Sequence, residues 1–221
     1  MTIKASGIRH KAPYLSPDEQ AYIVDGERYA RITHVLAVEG DGLDVWRKKV
    51  GPEEAERISR EAAEYGTLVH KLTALHDTKK WRAVERLVDK YSFLLAHHIS
   101  WYDWAQTYVS RIPLVEKIVY SRRLRVAGTL DRVLVMKGDK GAAIADIKTG
   151  SLNDAIGRQL ALYGICYNEM GLKPRIIRYL VVSMPRLSPG KLIVKDYTRD
   201  IMRYVNEAMA LVKTYHEING G

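Results

Sequence analysis

Residues 128–149 read GTLDRVLVMKGDKGAAIADIKT, and the rest of the chain can be organised around this stretch. Val126, Leu130, Val133 and Val135 make a β-rich run, and Lys137-Gly138-Asp139-Lys140-Gly141 is turn chemistry. Ala142 to Ile147 form a second short strand ending at Thr149-Gly150, so the stretch reads as a hairpin. An antiparallel pair can bring an acidic residue on one strand close to one on its neighbour, here Asp131 and Asp146. Two such carboxylates repel each other unless a cation sits between them. A hard divalent ion with oxygen ligands, Mg²⁺ or Mn²⁺, suits that position. Lys148 lies two residues past Asp146, so a strand's period of two turns both side chains to one face. A carboxylate pair, an ion and an ammonium on one face have the composition of a phosphodiester-hydrolysing site. Asp-x-Lys also arises by chance, and Asp131-Arg132 equally fits a surface ion pair. The hairpin alone does not decide.

Upstream, Pro52 suits a helix start, and Glu53, Glu54 and Glu56 favour its N-terminal end. Ala55, Ile58, Ala62, Leu68, Val69, Leu72 and Leu75 follow at roughly helical spacing, which predicts a helix over 52–77. His70 falls inside that pattern, where a lone histidine is more often a hydrogen-bonded structural residue than a ligand. Downstream, residues 153–170 read as an amphipathic helix opening on an Asn or Asp cap and closed by Gly171. Gln159 and Tyr163 are four apart and share a face of it.

In chain order these are GxxxH (Gly66 to His70), GxxD (Gly128 to Asp131), DxK (Asp146 to Lys148) and QxxxY (Gln159 to Tyr163). The series resembles the RecB-type nucleases of the PD-(D/E)xK superfamily over residues 29–185. The segment Tyr29 to Leu36 also resembles the Pro-Ser-Val-Thr-x-Val-Leu opening of phage-type and mitochondrial members, with Ala30-Arg31 in place of Pro-Ser. The resemblance implies a restriction-endonuclease-like αβββαβ core, a mixed sheet flanked by helices, with extra N-terminal helices. It implies a DNA exonuclease of recombination, repair or replication, with an endonuclease on the same scaffold as the alternative. It casts Asp131, Asp146, the main-chain carbonyl of Ile147 and His70 as metal ligands, Lys148 as the catalytic lysine, and Gln159 and Tyr163 as cleft residues orienting the lysine or the DNA backbone. Glu116 is a further acidic candidate ahead of the GxxD strand; an ordinary charge on a half-exposed strand explains it as well, and it stays outside the set.

Composition agrees with this reading. The 221 residues suffice for one substantial core and are few for two, so a single nuclease domain is expected over 1–221. Thirty-five Lys and Arg against 26 Asp and Glu leave a formal charge of +9, which suits a polyanion such as DNA, with acidic membrane surfaces as the weaker alternative. No apolar run reaches a membrane span, and residues 1–11 have no signal-peptide core. Cys166 is the only cysteine, which excludes an intrachain disulfide and a four-cysteine iron–sulfur cluster and fits a reducing cytosol. No phosphate-binding GxxxxGK[ST] loop appears, so no nucleotide is expected and any motor would belong to a partner.

The expected organisation is an irregular basic arm over 1–28, in part a hairpin around Tyr22 to Tyr29, and a mainly helical part over 29–111. Helices are predicted at 52–77 and 80–111, the second interrupted near His97-His98. The sheet core spans 112–197, with strands at 113–122, 125–136, 142–148, 175–184 and an edge strand at 191–196. Thr198 is expected to cap a final helix within 198–221. Trp81, Tyr91, Phe93, Trp101, Tyr102, Trp104 and Tyr108 read mainly as packing residues, with stacking on single-stranded bases as the other use of such rings. The basic turn Arg122-Arg123-Leu124-Arg125 holds phosphates if it lies near the site and is a solvated loop if it does not. Lys11 and Lys79-Lys80 pose the same question.

Overall fold

The computed structural model describes residues 12–40 and 44–220. The chain opens on an antiparallel ribbon of β1 (Tyr14–Leu15), β2 (Ala21–Val24) and β3 (Glu27–Arg31). Asp25 and Gly26 join the last two strands with φ of 51° and 88°, a two-residue turn whose twist matches the strands. The hairpin expected around Tyr22 to Tyr29 is present, with those two residues paired, but the described part of the arm is not otherwise irregular, since β1 extends the ribbon and β3 pairs in parallel with the central sheet. Residues 1–11, including Lys11, lie outside the described residues.

Among the described residues five α-helices follow, α1 (Ile32–Leu36), α2 (Asp44–Val50), α3 (Pro52–Asp77), α4 (Trp81–Lys90) and α5 (Leu94–Tyr108), with a 3₁₀ turn at Ala37–Glu39 after the first. Pro52 stands at the start of α3 as its fixed φ favours. The predicted helix over 80–111 breaks at Tyr91–Phe93 rather than at His97-His98. Phe93 stacks on Tyr65 of α3 at 4.7 Å, and His97 stays helical and buried, its Nε2 2.5 Å from the Tyr65 hydroxyl. The helix also stops at Tyr108, and the next strand begins at Val109, earlier than the apolar pattern indicates.

The remaining order is β4 (Val109–Ser121), β5 (Val126–Met136), β6 (Ala142–Lys148), α6 (Asp154–Glu169), β7 (Ile176–Ser183), β8 (Ile193–Asp196) and α7 (Ile201–Asn219). β4, β5 and β6 are antiparallel neighbours, β7 joins β6 in parallel across the α6 crossover, and β8 lies antiparallel at the edge. The protein is thus a mixed α/β structure, a mixed sheet flanked by helices. α1, α6 and α7 pack around Leu130, Val133, Ile144 and Leu160 on one side. α3, α4 and α5 pack around Leu134, Ala143, Ala145 and Ile147 on the other. Cover on both faces explains why β6 reads as a nearly continuous apolar run. Two expected caps are not made. Asn153 precedes α6 without a side-chain capping bond. Thr198 starts a 3₁₀ turn ahead of α7, and its hydroxyl accepts the Tyr179 N–H of β7.

Candidate metal centre

The site arises where β5 loses a neighbour. β4 runs along one edge of β5 from Val126 to Met136. The other edge is divided: β3 pairs with Val126 and Ala127, and β6 pairs with Arg132, Val133 and Leu134. Between them, residues 128–131 face a gap, and the GxxD motif occupies it. Extending the β5–β6 register one step past Arg132 and Ala145 sets Asp131 opposite Asp146, but there the strands have parted. An opened ladder exposes N–H groups that need acceptors. Asp131 supplies one, its Oδ2 accepting the Ile147 N–H at 2.7 Å.

Two glycines let the surrounding elements close on this gap. A Cβ on Gly128 would stand 2.9 Å from the Tyr163 ring, so only glycine admits that ring over β5. A Cβ on Gly66 would stand 3.3 Å from Thr149 Oγ1, where α3 crosses the end of β6. One turn further along α3, His70 Nδ1 lies 3.4 Å from Asp131 Oδ1. On the other side, Lys148 Nζ stands 2.8 Å from Asp146 Oδ2 and donates to Gln159 Oε1 at 3.0 Å. Gln159 Nε2 in turn donates to the Tyr163 hydroxyl at 3.0 Å. The seven residues singled out in the sequence, His70, Asp131, Asp146, Ile147, Lys148, Gln159 and Tyr163, are all brought together here. Ile147 joins through its N–H.

Glu116, left outside that set, belongs to the cluster. It lies across from Asp131 in the β4–β5 register, and donor atoms of His70, Glu116 and Asp131 all fall within 4.8 Å of one another. Its backbone is left-handed, φ 49° within a thirteen-residue strand, a strained state that persists only when its surroundings hold it. The sequence signal was its position opposite the GxxD aspartate, which appears only once the register is known. Asp146 is not in this group of three; the Lys148 ammonium supplies its counter-charge instead.

Burial and mutual proximity set the electrostatics of the site. Burial, aggravated by the Asp131 charge and opposed by Lys148, pushes the Asp146 carboxyl up to about 6. Burial and Asp131 likewise raise Glu116, against the pull of Arg132. Burial also works against charge on Asp131, but His70, the Ile147 N–H and Lys148 outweigh it and hold that carboxyl below its ordinary value. His70 and Lys148 are each lowered by burial and raised further by their carboxylate neighbours, ending above their ordinary values. Burial keeps Tyr163 well above the usual phenol range, so it remains a hydroxyl. An imidazole and three carboxyls, two of them reluctant to ionise, fit a hard divalent cation that would stabilise every ionised form at once.

Beneath the cluster lies a support that the sequence reading missed. Arg132, one alternative for which was a surface ion pair, is fully buried. Its Nε donates to Asp77 Oδ2 at 2.5 Å and its Nη2 to Thr73 Oγ1 at 2.9 Å. Its Nη1 donates to Glu116 Oε1 at 2.9 Å and to the Asp131 carbonyl at 2.7 Å. Trp101 Nε1 satisfies the other Asp77 oxygen at 2.9 Å. One guanidinium therefore ties α3 and β4 to the backbone of β5, the strand that carries Asp131.

The basic turn at 122–125 leads into β5, and its last residue, Arg125, is six residues and roughly 20 Å from Asp131, which lies midway along that strand. There Arg122 pairs with Asp25 and Arg125 with Glu27 of the N-terminal ribbon. Among the aromatics, Trp101 and Trp104 are buried, whereas Trp81, Tyr102 and Tyr108 are exposed. Among the described residues no helix is long and apolar enough to cross a membrane. No family model matches the chain, and no curated protein matches it.

Proposed function

We propose that this protein is a divalent-metal-dependent DNA nuclease of the RecB type, acting as an exonuclease. The observation that carries the reading is the parted β5–β6 ladder, which gathers His70, Glu116, Asp131 and Asp146 beside Lys148. The order α5-β4-β5-β6-α6-β7, an antiparallel trio plus a parallel fourth strand, supports a restriction-endonuclease-like core. Those four side chains, with the Ile147 carbonyl, would hold Mg²⁺ or Mn²⁺. Bound there, the ion supplies Lewis acidity and lowers the pKa of water. Lys148 offers a fixed ammonium for phosphate charge. Gln159 accepts a hydrogen bond from that ammonium, which also pairs with Asp146, and Tyr163, kept protonated, anchors Gln159. The net charge of +9 favours a polyanionic substrate, and work in recombination, repair or replication follows from the same reading.

The test is degradation of end-labelled linear DNA beside a closed circle, with Mg²⁺ or Mn²⁺ present and then with chelator. Label should be released from the linear form only, and only with the ion. Equal attack on the circle would establish the endonuclease alternative, and no hydrolysis under any condition would leave a binding module.

His70 makes a pH prediction. An imidazole must be neutral to ligate, and Asp131 holds this one protonated to higher pH than an ordinary histidine at about 6.5. Apparent Mn²⁺ affinity should therefore start to fall above pH 6.5 as acid is added. His70→Asn should weaken binding at pH 8 and flatten that part of the profile in calorimetric titrations. An unchanged profile would take His70 out of the ligand set.

A further inference from the structure

The C-terminal end of α3, a short way beyond His70, carries a second set of chemistry-bearing residues. The helix closes with Lys79 N–H on the His76 carbonyl and Lys80 N–H on the Leu75 carbonyl, both at 2.9 Å. This paired ending puts its left-handed residue at Lys79, φ 57°, where glycine is unstrained and lysine is not. Lys79, Lys80 and Arg82 follow one another closely with no acid between, and among the described residues none of them makes an ion pair. Arginines of the N-terminal ribbon and the 122–125 turn differ: Arg28, Arg122 and Arg125 are each matched to a carboxylate.

Trp81 stands among these cations with 46% of its surface exposed. Its ring is held edge-on against His76 at 5.0 Å. His76 is itself fixed by a 3.1 Å hydrogen bond to His98 of α5 and by the Tyr102 ring at 5.7 Å. A cleft of about 400 Å³ opens beside Trp81, and Arg111 at the start of β4 lines it too. Its single lining carboxylate, Asp77, is engaged by Arg132 and Trp101. A fixed, half-exposed ring among unpaired cations is the composition that single-strand sites use, the ring for a base and the cations for phosphates. A duplex keeps its base faces stacked inside and gives such a ring nothing to stack on.

We propose that this cleft and the basic depression adjoining it at Trp81 bind a single strand of nucleic acid, with Trp81 stacked on a base, Lys79 and Arg111 on phosphates in the cleft, and Lys80 and Arg82 on phosphates beside it. The inference rests on the nuclease reading and gives it a substrate form, a single-stranded end fed along α3. Asp77, which lines the cleft, follows His70 by seven residues, about 10 Å of helix axis, so the cleft lies within a few nucleotides of the metal centre.

Affinity is measured by fluorescence anisotropy in chelator, against an oligothymidylate of about 15 nucleotides and a duplex of equal length. The single strand should bind more tightly. Trp81→Ala should weaken it at least about fivefold and leave the duplex unchanged. Lys79→Gly should flatten the log–log salt dependence by about 0.7 while leaving the melting temperature unchanged or raised, because glycine relieves the positive φ. Equal affinity for both forms with no effect of either substitution would overturn the proposal. So would displacement of the strand by phosphatidylserine vesicles whose binding shows the same dependence on Trp81, which would make this a membrane-facing surface. Since binding is read without metal, failure of hydrolysis in the linear-versus-circular assay leaves this test intact.

Discussion

Asp131→Asn, Asp146→Asn and Lys148→Ala should each lower phosphodiester turnover at least about a hundredfold, the scale on which a preorganised charge-stabilising group acts. The three should nevertheless part company in stability. The Asp131 carboxyl is held below its ordinary value, so its contribution is present above that value and is lost as pH falls through the lowered one. Asn at 131 forfeits this at pH 7.5, along with part of the bond to the Ile147 N–H. Asp146 is the reverse case. Its carboxyl titrates near 6 in the folded chain against 3.8 for the ordinary group, so the folded state is favoured below 3.8 and that advantage disappears as pH rises through 6. Above 6 the ionised Asp146 is a burden on the metal-free protein on the order of a few kcal/mol, the equivalent of about two pKa units. Asp146→Asn should then melt at the same temperature or higher in chelator at pH 7.5, and Asp131→Asn lower, although both are inactive. Near wild-type cleavage by Lys148→Ala and Asp146→Asn would sink the proposed function, and matching melting temperatures would sink the electrostatic account.

That asymmetry marks where the sequence stops being legible. Both aspartates can be found from spacing, because a strand's period fixes Asp146 and Lys148 on one face and a turn signal fixes the hairpin. Neither the parting of β5 from β6 nor the sharing of one β5 edge between β3 and β6 can be read from local pattern. Both depend on where a ribbon more than ninety residues upstream docks, with Ala30 against Val126. Glu116 illustrates the same limit, since its place opposite Asp131 is a matter of register across two strands. The helix break at Tyr91–Phe93 was hidden for a different reason. The sequence there has helical apolar spacing, and the stacking of Phe93 on Tyr65, a tertiary contact, overrides it. Arg132 was the least visible of all. A charge beside an aspartate on a strand reads as exposed, and only the packing of α3 and α5 reveals that Asp77, Thr73 and Trp101 converge on it.

Arg132 carries the largest expected effect on stability. Its side chain and that of Asp77 are both wholly buried, so Arg132→Met strands the Asp77 charge in the interior and should cost about 3–5 kcal/mol. Against a total of about 5–15 kcal/mol for a typical domain, that brings the variant near unfolding. Arg132→Lys should recover little of the loss. The guanidinium serves Asp77, Thr73, Glu116 and the Asp131 carbonyl from three nitrogens in a fixed fork, and a single ammonium cannot span those directions. The double variant Arg132→Met with Asp77→Asn distinguishes a stranded charge from lost packing, because the amide carbonyl can still accept from Trp101 Nε1. If the stranded charge dominates, the double variant unfolds in urea at a higher midpoint than Arg132→Met alone. If it unfolds at a lower one, packing around the guanidinium stem dominates instead. The double variant should remain impaired in metal binding even where stability returns. Glu116 keeps its left-handed backbone within reach of Arg132, and without that bond the strain there, about 1–3 kcal/mol, favours relaxation of the strand and withdrawal of the carboxylate from His70 and Asp131. A double variant that bound Mn²⁺ as tightly as the parent would show that Glu116 is held in the cluster by something other than Arg132.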